Sequence, residues 1–385
     1  MPSVFFISLM SGSSWGGSEE LWYRTALQAA KAGWKVSCGV YYWPDKKEKL
    51  KELSDSGAVI YYLPNKGRPK KNLLQRLQNK FSKIRTKKFL NTLPVHPYDL
   101  VVINQGAFEI TTGVWKDFYK KLEKYVLLFH NYKEQEIFKP AKAMVIQNWI
   151  NHASLNLFAS RRIKEVLENN SGIKISRDAL LINPITFSSG LVPEPYPSPA
   201  NGTYRMVMLA ALEVNRKAQD KLIMALSSSK WRERKWTLHL YGEGKDRQKL
   251  ENLIHENDMM GKVFLEGHTN DVKTVLKDAH LILQLTHIDA MPLTVVEAMA
   301  VGRPVVASKI GDMPDWVKEG LNGWISDNAS VEQIELSLEK AWQHKEQWKE
   351  MGEQSFKIFT EKFQKSPEKH FLNQLEKLLD TENGN

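Results

Sequence analysis

Residues 284–325 read QLTHIDAMPLTVVEAMAVGRPVVASKIGDMPDWVKEGLNGWI. An apolar run leads into a short polar loop, and Pro292 stands where the first turn of a helix tolerates proline. The spacing predicts one short helix over residues 293–300, which Gly302 ends. The following PVVAS, residues 304–308, is predicted to be a buried strand. The order strand, loop, helix, strand is typical of a parallel α/β sheet.

Two acidic residues lie in this loop and helix. Asp289 comes just before the helix, and Glu297 follows eight residues later. A helix N-terminus offers unpaired N–H groups and partial positive charge, which suit a phosphate or a polarised sugar hydroxyl. The two acids can both point at one polyhydroxylated ligand. The alternative is that Asp289 caps the helix and Glu297 is a solvated surface acid.

The composition indicates a globular protein of two domains. The chain has 385 residues, of which 42% are hydrophobic, and this length exceeds one typical core. Its single cysteine, Cys38, excludes an intramolecular disulfide and fits a reducing compartment. The opening MPSVFFISLMSG has neither the layout of a signal peptide nor the length of a membrane span, so a first buried strand is predicted there.

The net charge of +10 is concentrated in one segment. Between Lys66 and Lys88 there are ten Lys or Arg residues and no acid, and apolar residues recur there at helical spacing. This amphipathic basic helix can contact an anionic membrane or acceptor, or its apolar stripe can pack on the domain while the charges are solvated. It has no nucleic-acid-binding motif, so no nucleic-acid partner is expected. The residues predicted to make the membrane or acceptor contact are Lys70, Lys71, Arg76, Lys80, Lys83 and Lys87.

Two features of the first half are candidate site elements. Gly16 and Gly17 precede a predicted helix, where glycine lets a ligand approach the backbone closely. His130 directly follows the apolar KYVLLF, residues 124–129, and a residue at the carboxyl end of a parallel strand faces the ligand crevice of such folds. The alternatives are an ordinary turn and a structural histidine.

Composition also divides the chain. Residues 187–202 are rich in Pro, Ser and Gly and are predicted to be a semi-rigid linker. The predicted domains are then residues 1–186 and 203–358. A last segment comprises residues 359–385.

The segment around Asp289 resembles the donor-site signature of retaining glycosyltransferases of the GT-B fold, in particular glycosyltransferase family 4. That signature is an acid, a small residue, an apolar residue, Pro or Gly, Leu, and a second acid eight positions after the first. The chain then continues, as the family does, with AMA, Gly302 and PVVAS. The resemblance is specific over about residues 204–325 and weaker in the first domain. It implies an α/β protein with two Rossmann-like, doubly wound domains facing across a cleft. It also implies that the last segment, 359–385, forms a helix that packs back on the first domain.

The resemblance also implies roles for residues at matching positions. Asp289 would hold the donor sugar and Lys217 the donor diphosphate, while His130 would press on the sugar from the other domain. Glu297 would hold the ribose hydroxyls of the nucleotide. The residues implied in donor binding are Gly16, Gly17, Arg216, Lys217, Gly242, Gly244, His268, Asp289, Ala290, Met291, Pro292, Leu293 and Glu297.

The chain departs from the family pattern at three positions. Ala211 stands where an Arg for the diphosphate is usual, Asp289 replaces the usual Glu, and Ala290 replaces the usual Gly. Arg216 is a neighbouring cation, but its side chain should leave the backbone in another direction. One lost charge-assisted contact costs roughly 1.5–3 kcal/mol of phosphate binding.

The function implied is transfer of a sugar, with retention, from a nucleotide-diphosphate sugar to an acceptor hydroxyl in polysaccharide or glycoconjugate synthesis. The acceptor would be a glycan, a lipid-linked molecule or a small molecule. No metal or other cofactor is expected, and the enzyme would be cytoplasmic, resting on the inner membrane face if the basic helix binds there. The alternatives are a non-catalytic sugar-nucleotide-binding member or partner subunit, and a sugar-nucleotide epimerase of the same fold.

Overall fold

The chain divides into two α/β units, each built on one parallel sheet. The computed structural model describes residues 1–380, apart from 11–14, 65–91, 94, 96–97, 107, 112, 114, 133, 135–136, 189 and 191. The first unit comprises residues 1–184 and the chain from Gln364 onward, and the second comprises residues 185–363.

Strands and helices alternate along most of the described chain. The strands are β1 (Ser3–Ser8), β2 (Lys35–Tyr41), β3 (Val59–Leu63), β4 (Leu100–Gln105), β5 (Tyr125–Phe129), β6 (Leu155–Phe158), β7 (Asp178–Leu180), β8 (Tyr204–Leu209), β9 (Trp236–Tyr241), β10 (Val263–Gly267), β11 (Leu281–Gln284), β12 (Val305–Ser308) and β13 (Gly323–Ser326). The described α-helices are α1 (Gly17–Lys31), α2 (Lys47–Asp55), α3 (Pro140–His152), α4 (Arg161–Ser171), α5 (Val214–Lys217), α6 (Gln219–Leu226), α7 (Ser229–Arg232), α8 (Arg247–Glu256), α9 (Val272–Lys277), α10 (Leu293–Ala300), α11 (Met313–Trp316), α12 (Val331–Gln343), α13 (Trp348–Lys362) and α14 (Pro367–Asp380).

Strand order places the ligand-binding end of each sheet. The first sheet has the order β3-β2-β1-β4-β5-β6-β7 and the second the order β10-β9-β8-β11-β12-β13. All neighbouring strands are parallel, as their apolar runs predict. The order reverses between β1 and β4 and between β8 and β11, and doubly wound sheets bind ligands beyond the carboxyl ends of the strands at such points.

Each unit has its own apolar core. In the first, α1 and the last helix, α14, contribute Trp22, Phe371 and Leu375 to one buried cluster. In the second, Trp231 and Trp236 are buried between the sheet and the helices that follow its strands. Fully burying large apolar side chains of this kind contributes roughly 1.5–3 kcal/mol each, so each sheet is fixed by its own helices.

The segment predicted as a linker, residues 187–202, is grouped with the second unit. The fully buried guanidinium of Arg303 donates to the backbone carbonyls of Glu194 (3.2 Å) and Pro195 (2.7 Å). The same guanidinium also donates to the carbonyl of Lys277. The observed division falls after Pro184, two residues before the predicted linker begins.

The basic segment between Lys66 and Lys88 lies wholly outside the described residues. All six cations predicted to contact a membrane or acceptor, Lys70, Lys71, Arg76, Lys80, Lys83 and Lys87, fall in that gap. Within the parts of the chain that are described, no helix combines the length and apolar character needed to span a bilayer.

Candidate functional site

The loops after β8 and β11 are joined at one backbone carbonyl. The carbonyl of Arg216 accepts hydrogen bonds from the Thr286 hydroxyl (2.6 Å) and the His287 N–H (2.8 Å). These loops flank the point where the strand order of the second sheet reverses. The bonds therefore fix residue 217, which is next in the chain, against the loop that carries Asp289.

Lys217 and Asp289 form an ion pair at this place. The Lys217 ammonium donates to Asp289 Oδ2, and the side chains are only 12% and 19% exposed. A largely buried pair of this kind holds a cation in a defined position better than an exposed pair does, because water weakens the attraction between exposed charges. The sequence prediction that these residues share one site is matched by their contact; their roles toward a ligand remain predictions.

Arg216 points elsewhere, as its position on α5 predicts. Its side chain is 51% exposed and pairs with Glu213 at 3.4 Å. Ala211, at the position where the family has Arg, is exposed beyond the end of β8. The described part of this site therefore has Lys217, and not Arg216, beside Asp289.

Three glycines allow the loops of the site to lie backbone against backbone. A Cβ on Gly242 would lie 2.0 Å from the Ala210 carbonyl oxygen, and one on Gly244 would lie 2.3 Å from that of Leu212. Gly311 has φ +58°, and a Cβ there would lie 2.0 Å from the carbonyl oxygen of Ala290. Gly242 and Gly244 are thus required for the packing of the loop after β9 on the loop after β8.

Helix α10 carries the second acid into the interior. Pro292 is its N-cap residue and makes no side-chain hydrogen bond to the first turn. Glu297 is only 3% exposed, and its Oε1 accepts hydrogen bonds from the Thr186 N–H (2.9 Å) and hydroxyl (2.7 Å). Burial raises the pKa of Glu297, and the two hydrogen bonds from Thr186 act against that rise. Glu297 is therefore not the solvated surface acid of the alternative interpretation, and the N-cap position of the helix is held by Pro292 and not by Asp289.

The remaining predicted residues of the second unit surround this pair of loops. Ala290, Met291 and Pro292 are buried, and Leu293 is half-buried. His268 is exposed beyond β10, and its Nε2 lies 3.2 Å from Asn270 Oδ1. No described contact joins His268 to Lys217 or Asp289.

In the first unit, Gly16 and Gly17 begin α1. The Gly16 carbonyl accepts hydrogen bonds from the N–H groups of Glu19 and Glu20, and its backbone is extended. Among the described residues, no atom lies within 4 Å of an added Cβ on Gly16, which is compatible with close approach of a ligand. Its backbone conformation does not require glycine.

The sequence did not predict the role of Glu19, three residues further on. Its carboxylate is 6% exposed and accepts hydrogen bonds from Ser8 Oγ (2.6 Å), Asn104 Nδ2 (2.7 Å) and Trp22 Nε1. Ser8 and Asn104 are register partners at the carboxyl ends of β1 and β4. Burial raises the pKa of Glu19 to about 7 despite these donors. Glu19 thus ties the start of α1 to the strands at the switch point of the first sheet.

His130 directly follows β5, as predicted. Both ring nitrogens are buried, and neither has a hydrogen-bond partner among the described residues. Burial lowers the pKa of His130 to about 3, so the ring is neutral at physiological pH. A neutral ring retains one N–H donor and one acceptor nitrogen.

Among the described residues, no three His, Cys, Asp or Glu side chains are grouped as a metal site would require. Sequence analysis missed two buried polar contacts, that of Glu19 in the first unit and that of Thr186 in the second. Only Glu19 had a sequence signal, because it directly follows Gly16, Gly17 and Ser18 in the sequence GGSE. The Thr186 contact joins residues 111 positions apart.

The family model that the chain matches covers residues of the second unit. Residues 197–358 match the family model described as "Glycosyl transferases group 1". The chain is 32% identical over 94 residues to the poly(ribitol-phosphate) alpha-N-acetylglucosaminyltransferase of Staphylococcus aureus, a match covering 24% of this chain and 19% of that protein. It is 28% identical over 180 residues to the lipopolysaccharide 1,6-galactosyltransferase of Salmonella typhimurium, covering 45% and 48% of the two chains. The chain thus spans half or less of the length of these relatives.

Solved structures match over the whole chain. HepE of Anabaena, in complex with UDP, has a TM-score of 0.72 at 17% identity and covers 99% of this chain and 100% of its own. TarM of Staphylococcus aureus, in a complex that includes UDP, has a TM-score of 0.71 at 13% identity, covering 98% and 100%. The predicted fold class, two Rossmann-like α/β domains of the GT-B type, is confirmed by this likeness.

Gly311→Ala is expected to disrupt the loop that carries Asp289. The added methyl group would overlap the Ala290 carbonyl and strain a positive φ, so we expect a loss of at least roughly 3 kcal/mol in the free energy of unfolding. Gly320→Ala is the matched control, because Gly320 has φ +72° but no atom within 4 Å of an added Cβ. It should lose only about 1 kcal/mol, from backbone strain alone. Urea unfolding measures both losses, and equal losses would mean that the close approach at Gly311 does not matter.

Glu19 should make stability fall as the pH rises. Its folded pKa, about 7, lies above the ordinary value of 4.5, so the folded state binds more protons between these pH values. The free energy of unfolding should therefore decrease by about 1 kcal/mol per pH unit from pH 5 to pH 7 and level off above. The difference between wild type and Glu19→Gln, measured by urea unfolding at pH 5, 6, 7 and 8, isolates this effect. The same pH dependence in both proteins would contradict it.

Proposed function

We propose that the protein is a glycosyltransferase that moves a sugar from a nucleoside-diphosphate sugar to an acceptor hydroxyl. The observation that carries the proposal is the contact of Lys217 with Asp289 at the switch point of the second sheet, with Glu297 on the helix that follows. A cation suits the diphosphate, and carboxylates suit sugar and ribose hydroxyls. The match of this segment to the group 1 glycosyltransferase model supports the same conclusion.

The proposed step breaks the bond between the anomeric carbon and the diphosphate oxygen. The acceptor oxygen forms the new bond to that carbon, and the proton of the acceptor hydroxyl passes to the departing phosphate. Negative charge on the leaving group is stabilised by Lys217 and by backbone N–H groups near Leu293. Asp289 holds the donor sugar, and the reaction proceeds with retention, as in family 4. No metal ion takes part in this proposal.

His130 is proposed to contact the donor sugar through a hydrogen bond from its neutral ring, which has no hydrogen-bond partner among the described residues. Gly16 is proposed to lie near a ligand, because no described atom lies within 4 Å of an added Cβ there. The named relatives act on poly(ribitol-phosphate) and lipopolysaccharide, so the proposed acceptor is a cell-surface glycan or glycoconjugate. The proposed location is the cytoplasm, with the basic segment resting on an anionic membrane face.

One observation favours a second function, a sugar-nucleotide-binding subunit without catalysis. Ala211 removes one of the two usual cations, and Asp289 neutralises the other, Lys217, through their ion pair. A diphosphate must then compete with Asp289 for the same ammonium group.

The first experiment is calorimetry of UDP, GDP and ADP, each alone and as a common sugar conjugate, with wild type, Lys217→Ala and Glu297→Ala. One nucleotide should bind at micromolar affinity, and each substitution should weaken it at least tenfold, about 1.4 kcal/mol. The reason is that Lys217 contributes a charge-assisted contact and Glu297 the ribose contact. UDP is tried first, because UDP is named in the HepE and TarM complexes.

Arg232→Ala is the control, because Arg232 is an exposed cation that donates to two backbone carbonyls, those of Ser227 and Asn257. It should bind nucleotide like wild type. If no nucleotide binds, the donor site is wrong. If a sugar nucleotide binds but no acceptor accepts sugar from it, the non-catalytic alternative holds. When transfer occurs, the anomeric configuration of the product, read by NMR, tests retention.

Ala211→Arg should strengthen nucleotide binding. The exposed position at the end of β8 gives the new guanidinium room, and a charge-assisted hydrogen bond to the diphosphate contributes roughly 1.5–3 kcal/mol. We therefore expect at least a tenfold lower Kd for the diphosphate by calorimetry and little change for the nucleoside. Asn252→Arg adds the same charge on the exposed side of α8 and should leave Kd unchanged. A gain of equal size in both variants would indicate general attraction by charge.

A further inference from the structure

The carboxylate of Glu297 is held through one oxygen only. Both donors of Thr186, its N–H at 2.9 Å and its hydroxyl at 2.7 Å, reach Oε1. Within the described parts of the chain, no hydrogen bond to Oε2 is found. The carboxylate is thus half-satisfied, although the residue is only 3% exposed.

Two donors on one oxygen restrict the orientation of the other. The last torsion of a glutamate side chain is broad, so a buried carboxylate without partners could turn freely. Because the backbone N–H and the hydroxyl of Thr186 both donate to Oε1, Oε2 is held in one direction. A carboxylate oxygen held in one direction is well suited to accept hydrogen bonds from two neighbouring hydroxyl groups. Such charge-assisted hydrogen bonds are strong, and their strength depends on geometry.

Thr186 itself is exposed and lies at the very start of the second unit, two residues after Pro184. Its hydroxyl therefore fills no core space, and its described side-chain hydrogen bond goes to Glu297. Because the Thr186 hydroxyl makes little packing contact and binds the buried Glu297 carboxylate, its main effect is on that carboxylate. Its loss should change the properties of Glu297 more than the stability of the unit.

The ionisation of Glu297 depends on the same contact. Burial raises the pKa of this carboxyl, and hydrogen bonds from Thr186 lower it. Loss of the hydroxyl would raise the pKa further, so the neutral form would persist to higher pH.

We propose that Thr186 is a positioning residue for nucleotide binding: by holding Oε1 of Glu297, it directs Oε2 toward the ribose hydroxyls of the donor. The inference rests on the proposed function, because it takes the ribose to be bound at Glu297. The other possible role, in which Thr186 occupies Glu297 and must leave before the ribose binds, predicts the opposite change in affinity.

The test compares UDP with 2′,3′-dideoxy-UDP, which lacks both ribose hydroxyls, by calorimetry on the full-length protein. Wild type should prefer UDP at least tenfold. Thr186→Val should weaken UDP binding five- to tenfold, leave dideoxy-UDP binding unchanged, and so remove most of the preference. Thr186→Ser keeps the hydroxyl and should behave like wild type. Thr360→Val is the matched control, because Thr360 is also exposed and its hydroxyl bonds a backbone carbonyl, that of Lys357.

The pH dependence gives a second measure that a purely structural role would not change. Glu297 must be ionised to accept the ribose hydroxyls, so UDP affinity should fall as the pH drops below its pKa. In Thr186→Val that fall should begin at higher pH. In a Glu297→Gln background, Thr186→Val should have no further effect on either probe.

Three results would overturn the inference while leaving the donor site intact: Thr186→Val binds UDP like wild type, binds it more tightly, or weakens both probes equally. Failure of the proposed function looks different. In that case neither UDP, GDP nor ADP binds wild type, or Glu297→Ala binds nucleotide like wild type. If GDP or ADP binds in place of UDP, the same comparison is made with that nucleotide and its dideoxy form.

Discussion

The candidate site depends on the backbone carbonyl of Arg216, which accepts hydrogen bonds from both Thr286 and His287. Parallel sheets leave the loops at their carboxyl ends without ladder partners, so each loop must find its own hydrogen bonds. Here the loop after β8 and the loop after β11 satisfy each other. This contact also has a chemical consequence, because it places the Lys217 ammonium against the Asp289 carboxylate. The ammonium is thereby held in position to bind a phosphate, but the phosphate must compete with Asp289 for it.

The glycines of the site follow from the same constraint. Loops that satisfy one another through backbone groups must approach to van der Waals distance, and side chains at the contact would hold them apart. Gly242, Gly244 and Gly311 are the positions where even a methyl group would overlap a carbonyl. Gly16 is different, since no atom of the described residues lies within 4 Å of an added Cβ there. Three glycines thus serve packing within the second unit, whereas no such contact with the described residues requires glycine at position 16.

Local features could be predicted from the sequence because they depend on residues that are close together in the chain. The predicted helix at residues 293–300 is observed with the same bounds, since proline, helical spacing and glycine mark both ends. The buried strands could be read from their apolar runs. That Lys217 and Asp289 belong to one site was predicted only through a family resemblance, because 72 residues separate them, and their ion pair was not predicted.

Long-range polar contacts had no such signal. Thr186 belongs to no periodic pattern, and nothing in its neighbourhood indicates that its hydroxyl will meet a carboxylate 111 residues later. Glu19 was visible as part of a motif, but motif position does not reveal that its donors come from two strand ends. Periodicity reports which face of an element is buried. It does not report which polar partner the fold brings to that face.

Residues 187–202, which were predicted to be a linker, are also held by long-range polar contacts that their composition does not reveal. Prolines at 193, 195, 197 and 199 remove backbone donors, so this stretch cannot be held by a ladder of its own, and from sequence it is typical of a linker. Its carbonyls are met instead by one buried guanidinium, that of Arg303, while Thr186 is bound by Glu297. Glu297 lies within α10, and Arg303 lies three residues beyond its last residue, Ala300. This segment is therefore held by side chains of this helix and of the residues that follow it, and not by a backbone ladder of its own.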